Sequence, residues 1–534
     1  MNGAVLRDKA EGTEQRKHFM KPIRLMTGFF TVGVWTLLSR VLGFLREVLL
    51  LSLIGPGPVM DAFVAAFRLP NMFRRFFAEG AFNAAFVPMF SKRYESGEGA
   101  KGVAQDAFAG LSFCVLILVG LAMVFMPALV WVTAEGFAGD ARFDMTVGYG
   151  RIVFPYILCM SLAALFSGIL NATGRFAVAA AAPVLLNIFV ITAMLVGVAM
   201  GGEVITWLIW SIPLAGLAQL ALTWKAAADA GFALRPTLPR WSPEMKALVV
   251  IALPAALASG VMQINLVVGQ LVASQYDDAV SWLFAADRLY QLPLGVVGIA
   301  VGIVLLPDLS RRLRSGDDAG ARHALSRAGE FALVLTIPSA VALVVIPQTL
   351  VSVLFERGAS DVDDTAAIAT AVAIYGLGLP AFVLQKVLQP IYFAREDTRR
   401  PFHYALVAMV VNAVVAVGLA AYVGWVAPAI ATTLAGWVMV GCLALGARRY
   451  GETARFDAQL RKRIWRIVAA SAVMGGVLAF ADAVMVDLLT AAYWRVLGLV
   501  ALIGIGAVSF FGAGQVFGAF KLSEFRAAVR RGNG

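Results

Sequence analysis

The chain has 534 residues, of which 60% are hydrophobic and 14% are charged, and its mean hydropathy is +0.81. Soluble domains carry about 25% charged residues, so this composition excludes a water-soluble globular protein. The formal net charge of +11 does not indicate nucleic acid as a partner. The basic residues lie in short segments between apolar runs, where they set the orientation of a membrane protein.

Apolar segments long enough to cross a bilayer follow one another along almost the whole chain. A transmembrane helix needs about 20 apolar residues, and the polar breaks in the sequence divide it into fourteen such segments. They lie near 27–54, 59–91, 107–133, 147–173, 176–200, 204–226, 246–274, 279–309, 324–355, 366–394, 401–423, 426–447, 464–486 and 492–518. The sequence therefore predicts an all-α polytopic membrane protein with fourteen transmembrane helices.

The loops between these segments alternate in charge. With the N-terminus inside, most Lys and Arg residues fall in cytoplasmic loops. Those that fall outside are Arg142, Arg151, Arg357 and Arg495. By the positive-inside rule, this asymmetry predicts that both the N- and the C-terminus are cytoplasmic. The outer loops are short and acidic, so we expect none of them to hold a catalytic domain.

An internal repeat relates two parts of the chain. The motif Pro-x-x-Ser-Lys-Arg that starts at Pro88 recurs at the same spacing as Pro-x-x-Ser-Arg-Arg from Pro307. A duplicated unit with an even number of spans places its two copies in the same orientation, which is a parallel repeat. We therefore predict four regions. They are a basic cytoplasmic tail at 1–26, an N-lobe of six spans at 27–230, a C-lobe of six spans at 231–455, and two extra spans with a cytoplasmic tail at 456–534.

Eleven charged residues lie inside predicted spans, where each costs about 2.5–3.5 kcal/mol at a helix centre. They are Arg40, Arg46, Glu47, Asp61, Arg68, Arg74, Arg75, Glu79, Asp287, Arg288 and Lys386. Positive charges exceed negative ones in the first two spans, and arginine, which makes multidentate contacts with phosphate and carboxylate, prevails over lysine. We expect a cationic cavity between the lobes that binds a large anion. The alternative is an ion-pair network without a ligand, but such a network should balance its charges.

Helical spacing divides these charges further. The charges that share a helical face are Asp61, Arg68, Arg75 and Glu79 on the second span, and Arg40 and Glu47 on the first. We predict that charges paired in this way hold the helices together. Charges without an acidic neighbour on their own face are then available to the ligand.

The sequence carries no pattern that indicates a cofactor or a metal site. Cys114, Cys159 and Cys442 lie in apolar stretches without metal-ligand spacing. The three histidines stand apart from any Cys, Ser or Glu constellation, and the sequence has no P-loop motif. We therefore expect no cofactor, no bound metal, no transport driven by ATP on this chain, and no enzymatic activity.

The first two predicted spans carry several distinctive motifs. Residues 39–47 read SRVLGFLRE, 61–63 read DAF, 68–71 read RLPN and 74–82 read RRFFAEGAF. In the eighth predicted span, 286–289 read ADRL. These motifs resemble those of the lipid II flippases of the MurJ/MviN family, and the resemblance extends from about residue 27 to the C-terminus.

This resemblance implies a fold of the multidrug/oligosaccharidyl-lipid/polysaccharide exporter superfamily, placed in the bacterial cytoplasmic (inner) membrane. It implies alternating-access transport of lipid II, the undecaprenyl-diphosphate-linked peptidoglycan precursor, from the inner to the outer leaflet. The substrate-binding residues it implies are Arg40, Arg46, Arg74 and Arg288. The supporting charges are Glu47, Asp61, Arg75, Glu79 and Asp287.

The expected partners are lipid II, membrane lipids and proteins of cell-wall synthesis. An exporter of another polyprenol-linked glycan or of drugs is the alternative within the same superfamily, and drug export predicts fewer cavity arginines. A membrane glycosyltransferase or polymerase would need a catalytic carboxylate on a sizeable outer loop. A scaffold protein would not need the unbalanced positive charge.

Overall fold

The computed structural model describes residues 22–74, 81–491 and 493–519. Within these ranges the chain forms helices and no strand. The first nine helices are α1 (Pro22–Leu53), α2 (Pro58–Arg74), α3 (Ala81–Ser96), α4 (Ala100–Val124), α5 (Met126–Thr133), α6 (Ala141–Val153), α7 (Tyr156–Ala172), α8 (Phe176–Ala199) and α9 (Val204–Asp229). We call α1–α9 the N-terminal group.

The remaining helices follow a linker. They are α10 (Pro243–Ala273), α11 (Ala279–Arg314), α12 (Asp318–Val345), α13 (Pro347–Phe355), α14 (Val362–Phe393), α15 (Arg399–Val423), α16 (Ala427–Ala447), α17 (Ala458–Val484), α18 (Val486–Thr490) and α19 (Arg495–Val516). We call α10–α16 the C-terminal group. Short 3₁₀ turns lie at Glu135–Phe137, Gly424–Val426 and Arg448–Ala454.

Polar side chains at the breaks between apolar segments determine where several helices begin. Ser242 accepts a hydrogen bond from the backbone of Met245 at the start of α10, and Asp361 and Asp364 form a reciprocal capping box at the start of α14. These caps satisfy amide groups that have no partner within the helix. The same polar breaks that separated the predicted spans therefore start the helices.

The helices coincide with the predicted apolar segments, and the prediction of an all-α membrane protein is confirmed. In the described part of the chain, nine helical stretches are long and apolar enough to cross a membrane. The predicted span at 59–91 falls on two helices, α2 and α3, on either side of 75–80.

Most helix packing lies within each group. In the N-terminal group α8 packs against α1 and α9, and α2 packs against α6. In the C-terminal group α14 packs against α11, α12 and α16. Helix α10 contacts both groups, because it packs against α3 and α4 as well as against α15. The boundary between the two groups therefore lies along α10, α11, α1 and α2.

A buried ion-pair network attaches α17 to the C-terminal group. Glu330 on α12 accepts hydrogen bonds from Arg327 and from Arg463 on α17. Arg327 also lies 2.9 Å from the Asp457 carboxylate at the start of α17. Glu330 and Arg463 are both buried, so removal of Glu330 would leave two arginines without their shared carboxylate. Helix α19 in turn packs on α17.

Candidate functional site

A cavity of about 600 Å³ lies between the N-terminal and C-terminal groups. Helices α1, α2, α7, α8 and α9 line it on one side, and α10 and α11 line it on the other. Its charged lining residues are Arg46, Arg68, Arg74, Asp287 and Arg288. The structure thus places three of the four predicted substrate-binding arginines, Arg46, Arg74 and Arg288, around one cavity.

Glu47 joins the two groups beside this cavity. Its Oε1 lies 2.5 Å from Arg46 Nη2 and 3.7 Å from Nε of Arg288. Arg46 Nη1 also donates a hydrogen bond of 3.0 Å to Oδ1 of Asn187. The sequence spacing placed Glu47 and Arg40 on one helical face. A separation of seven residues corresponds to about 10 Å along a helix, so Glu47 pairs with nearer arginines instead.

Asp287 and Arg288 occupy neighbouring positions on α11 and have different surroundings. The Arg288 guanidinium lies over the Phe284 ring, 4.5 Å from its centroid, in a cation–π contact. Asp287 accepts a hydrogen bond from Gln291 one turn further along. It also interacts electrostatically with Arg68 of α2. Asp287 therefore offsets part of the positive charge that α2 brings to the cavity.

Arg40 lines a neighbouring cavity of about 570 Å³. The two cavities share Pro183 and Gln291 as lining residues. The Arg40 guanidinium lies against Gly295 of α11, where a Cβ atom would overlap Nη1. The missing side chain at Gly295 thus lets an arginine of the N-terminal group extend to the C-terminal group.

Asp61 is buried and contacts residues far away in the sequence. Its Oδ1 accepts a hydrogen bond of 2.8 Å from the backbone N–H of Ser281. Its Oδ2 lies 3.5 Å from Nη1 of Arg142. Arg142 also contacts Asp140, with 2.5 Å from Nε to Oδ2, and Asp277, with 2.9 Å from Nη2 to Oδ1. We call Asp61, Asp140, Arg142 and Asp277 the Arg142 cluster.

The Arg142 cluster corrects two expectations. The seven-residue spacing predicted that Asp61 pairs along its own helix with Arg68, whereas its ionic partner comes from α6. The charge pattern assigned Arg142 to an outer loop, whereas Arg142 lies in the first turn of α6 and is buried. Both differences arise because a buried carboxylate needs a cation within a few ångströms, and helix packing supplies one.

Asp140 holds Arg142 in place from the start of α6. Its Oδ1 accepts a hydrogen bond of 3.2 Å from the backbone N–H of Arg142. Burial tends to raise the pKa of Asp140, but hydrogen bonds from the Arg142 side chain and backbone outweigh this effect and lower the pKa below its ordinary value. Asp140 is therefore ionised at neutral pH and stays paired with Arg142.

Further contacts join the two groups at the same end of the helices. The Ala359 N–H donates a hydrogen bond of 3.0 Å to the Ser52 carbonyl. The Gly136 N–H donates one of 3.1 Å to Oγ of Ser274. These residues and the Arg142 cluster lie at or near helix ends that the predicted topology assigns to the outer side. The boundary between the groups is therefore closed at this end.

Two predicted supporting charges, Arg75 and Glu79, lie outside the described residues. Sequence reasoning did not select Gln219 and Gln263, which are buried and line the cavity. The signal that could have found them is an amide side chain inside an otherwise apolar span. This signal is weaker than a charge, because an amide is less costly to bury.

Within the described ranges, no group of three or more His, Cys, Asp or Glu side chains is placed to hold a metal ion. Cys114, Cys159 and Cys442 are free thiols. The chemistry available in the cavity is therefore the binding of anions by guanidinium groups and hydrogen bonding by amides.

The family model described as "Lipid II flippase MurJ" matches residues 50–501. The chain belongs to the lipid II flippase MurJ family. A curated relative from Rhizobium tropici, named "Probable lipid II flippase MurJ", is 45% identical over 464 residues, which cover 85% of this chain and 87% of the relative. As a MurJ family member with several apolar helices, the protein is a multi-pass protein of the bacterial inner membrane.

Two solved structures show the fold. The structure titled "Lipid II flippase MurJ, inward closed conformation" superimposes with a TM-score of 0.76 at 24% identity, covering 91% of this chain and 98% of that one. An inward-facing multidrug resistance MATE family transporter of the MOP superfamily gives a TM-score of 0.64 at 15% identity, covering 78% and 95%. The protein therefore has the helical fold that MurJ shares with MATE transporters.

Proposed function

We propose that this protein moves lipid II from the inner to the outer leaflet of the cytoplasmic membrane by alternating access. Its membership of the lipid II flippase MurJ family supports the substrate. The observation that carries the proposal is the charge of the cavity. Four arginines line it, against Asp287 in its wall and Glu47 beside it. A large anion is the ligand that this excess of positive charge favours.

The arginines provide the binding chemistry for a diphosphate. A guanidinium group donates two parallel hydrogen bonds to phosphate oxygens, which gives both affinity and orientation. Arg46 and Arg288 share one carboxylate oxygen of Glu47, so both have donors left for a ligand. Arg46, Arg74 and Arg288 would hold the diphosphate, with Arg40 in the adjoining cavity. A flippase of this kind makes and breaks no covalent bond.

The transport cycle rests on the two groups of helices. We assign 27–230 to the N-lobe and 231–455 to the C-lobe, each with six spans. Residues 456–534 supply two more spans, to give fourteen, and the basic tail at 1–26 and the C-terminus lie in the cytoplasm. In this topology, the end that the Arg142 cluster and the contact of Ser52 with Ala359 close is the outer side of the lobes. This arrangement corresponds to the inward-facing half of the cycle.

The proposed partners follow from this role. Lipid II is the substrate, and membrane lipids surround the apolar helices. Proteins of cell-wall synthesis would receive the precursor on the outer leaflet, so they are the further partners that this role implies.

The proposal is tested by depleting this protein in cells that hold no other lipid II flippase. We expect lipid II to accumulate on the inner leaflet and to become inaccessible to a probe added outside. Re-expression of the wild-type chain should restore accessibility. Normal accessibility after depletion would overturn the proposed function.

A further inference from the structure

Two amide side chains in the cavity wall have hydrogen-bonding capacity that the described residues do not use. Gln219 on α9 is 1% exposed and Gln263 on α10 is 3% exposed, and both line the cavity. Oε1 of Gln263 has no hydrogen-bond partner among the described residues, and Nε2 of Gln219, which carries two N–H groups, has at most the adjacent Tyr156 hydroxyl. Such atoms are uncommon in native proteins, because losing water without a replacement is costly. Their position in the cavity wall points to a ligand.

The Gln263 oxygen and the remaining Gln219 N–H are chemically complementary to a neutral polar group. Gln219 offers an N–H donor from the N-terminal group of helices, and Gln263 offers a carbonyl acceptor from the C-terminal group. A secondary amide or a hydroxyl both donates and accepts hydrogen bonds. An ionised diphosphate only accepts, so it cannot satisfy the Gln263 carbonyl oxygen. The glutamines and the arginines are therefore suited to different parts of one ligand.

We propose that Gln219 and Gln263 recognise the amide and hydroxyl groups of the sugar-peptide head of the substrate. The arginines bind the diphosphate. This inference rests on the proposed function and adds a second specificity to the same cavity. Because the two glutamines lie on opposite sides of the boundary, a head bound to both contacts both groups of helices. A polyprenyl diphosphate without a head would leave the Gln263 oxygen and one Gln219 N–H unpaired, so the site discriminates against it.

The test compares two lipids on the purified full-length protein. The probes are lipid II and undecaprenyl diphosphate, which lacks the head, and their dissociation constants are measured by native mass spectrometry. We expect the wild-type protein to prefer lipid II. Gln219→Leu and Gln263→Leu should each bind lipid II about tenfold less tightly. Binding of undecaprenyl diphosphate should stay within about twofold of wild type in both variants, which also shows that the cavity is intact.

The chain offers a matched control in Gln270. It lies on α10, is 1% exposed and also has an Oε1 without a partner among the described residues, but it is not part of the cavity lining. Gln270→Leu should leave the preference for lipid II unchanged. Arg288→Ala should weaken the binding of both lipids, because both carry the diphosphate.

The outcomes separate the inference from the proposed function. If the wild-type protein binds neither lipid, the proposed function fails and the inference with it. The inference alone fails if the wild-type protein binds both lipids equally. It also fails if the Gln219 and Gln263 variants keep the full preference for lipid II, or lose affinity for both lipids to the same extent.

Discussion

Two clusters of charge lie along the boundary between the helix groups, and they differ in their balance. In the Arg142 cluster one arginine contacts three carboxylates, and the buried Asp61 also accepts a hydrogen bond from the Ser281 backbone. In the cavity, four arginines are set against Asp287 and the neighbouring Glu47. The buried pair of the first cluster, Asp61 and Arg142, is balanced, and its two further carboxylates belong to side chains that are 40% and 87% exposed. The cavity has more cations than its carboxylates can neutralise.

This difference separates two uses of charge inside a membrane protein. A cluster that is complete without a ligand stabilises one arrangement of the helices, and the Arg142 cluster holds the two groups together at one end. A cluster with excess positive charge gains most when an anion enters. The comparison predicts that substitutions in the two clusters have different consequences, one on stability and conformation and the other on transport.

The largest effect is expected from Arg142→Ala. This change leaves the Asp61 carboxylate buried without its cation, and breaking a buried pair costs about 3–5 kcal/mol. We expect the amount of protein in the membrane to fall and thermal unfolding of the purified protein to occur at a lower temperature. Asp277→Asn is the control. The Asp277 side chain is 87% exposed, and pairs with such groups contribute little. Equal abundance of the Arg142 variant and wild type would contradict this account.

The next effect concerns the cavity. Arg288→Lys keeps the positive charge but loses the planar fork that binds phosphate oxygens. We expect transport, measured as the rate at which lipid II becomes accessible outside, to fall about tenfold or more while abundance stays near normal. Arg46→Lys and Arg74→Lys should behave in the same way. Lys386→Ala removes a charge that lies inside a predicted span but not in the cavity lining. Transport by this variant should be unchanged. A loss of transport as large as that of Arg288→Lys would show that any charge within the spans supports transport, whether or not it lines the cavity.

A smaller effect is expected from Gly55→Ala, at the end where backbone contacts close the boundary between the two groups. Gly55 follows α1 with a φ of +72°, and a Cβ there would overlap the Ala359 carbonyl of the C-terminal group. Gly55→Ala should therefore favour separation of the two groups at this end. Gly201→Ala is the matched control, because Gly201 follows α8 with a φ of +64° and a Cβ there would meet no heavy atom within 4 Å. The left-handed backbone costs about 1–2 kcal/mol in both variants.

The measurement is labelling of a cysteine introduced at Ser52, whose carbonyl accepts the hydrogen bond from Ala359. Gly55→Ala should label faster than the parent protein, and Gly201→Ala should not. Similar labelling rates in the two glycine variants would mean that the backbone contact does not hold this end closed.

The sequence was sufficient to predict much of the fold and part of the site. The length of the apolar segments predicted the helices, and the unusual charges at Arg46, Arg74 and Arg288 predicted residues that the structure groups around one cavity. These features could be recognised because a charge in an apolar span is rare and costly. Each of them is a property of a single segment.

The partners of individual charges could not be predicted in this way. Asp61 and Arg142 are 81 positions apart, and Glu47 and Arg288 are still further apart in the chain. Helical spacing gives the direction in which a side chain leaves its helix. It does not identify which other helix meets that face. The amides of Gln219 and Gln263 were missed for a related reason, since only the cavity distinguishes them from other buried glutamines.

The last prediction concerns the membrane potential. Moving one charge across 100 mV changes the free energy by up to about 2.3 kcal/mol. When the cavity opens inward, its excess positive charge lies at the negative potential of the cytoplasm, so the empty protein should prefer this state. A diphosphate and peptide carboxylates cancel the positive charge, and this preference disappears. The protein can then open outward with the substrate bound, and release of the substrate restores the excess positive charge of the cavity.

Disulfide cross-linking at the closed end can test whether the membrane potential returns the empty protein to the inward-open state. The native residues Cys114, Cys159 and Cys442 are first replaced by alanine, and cysteines are placed at Ser52 and Ala359, whose backbones are hydrogen-bonded across the boundary. We expect cross-linking of the substrate-free protein to fall when the potential is removed at fixed pH and sodium gradients. A second pair at Asn412 and Thr432, which contact each other within the C-terminal group, should not respond. If the Ser52–Ala359 yield is also unchanged, the potential does not reset the carrier through its cavity arginines, and an ion-coupled step must do so instead.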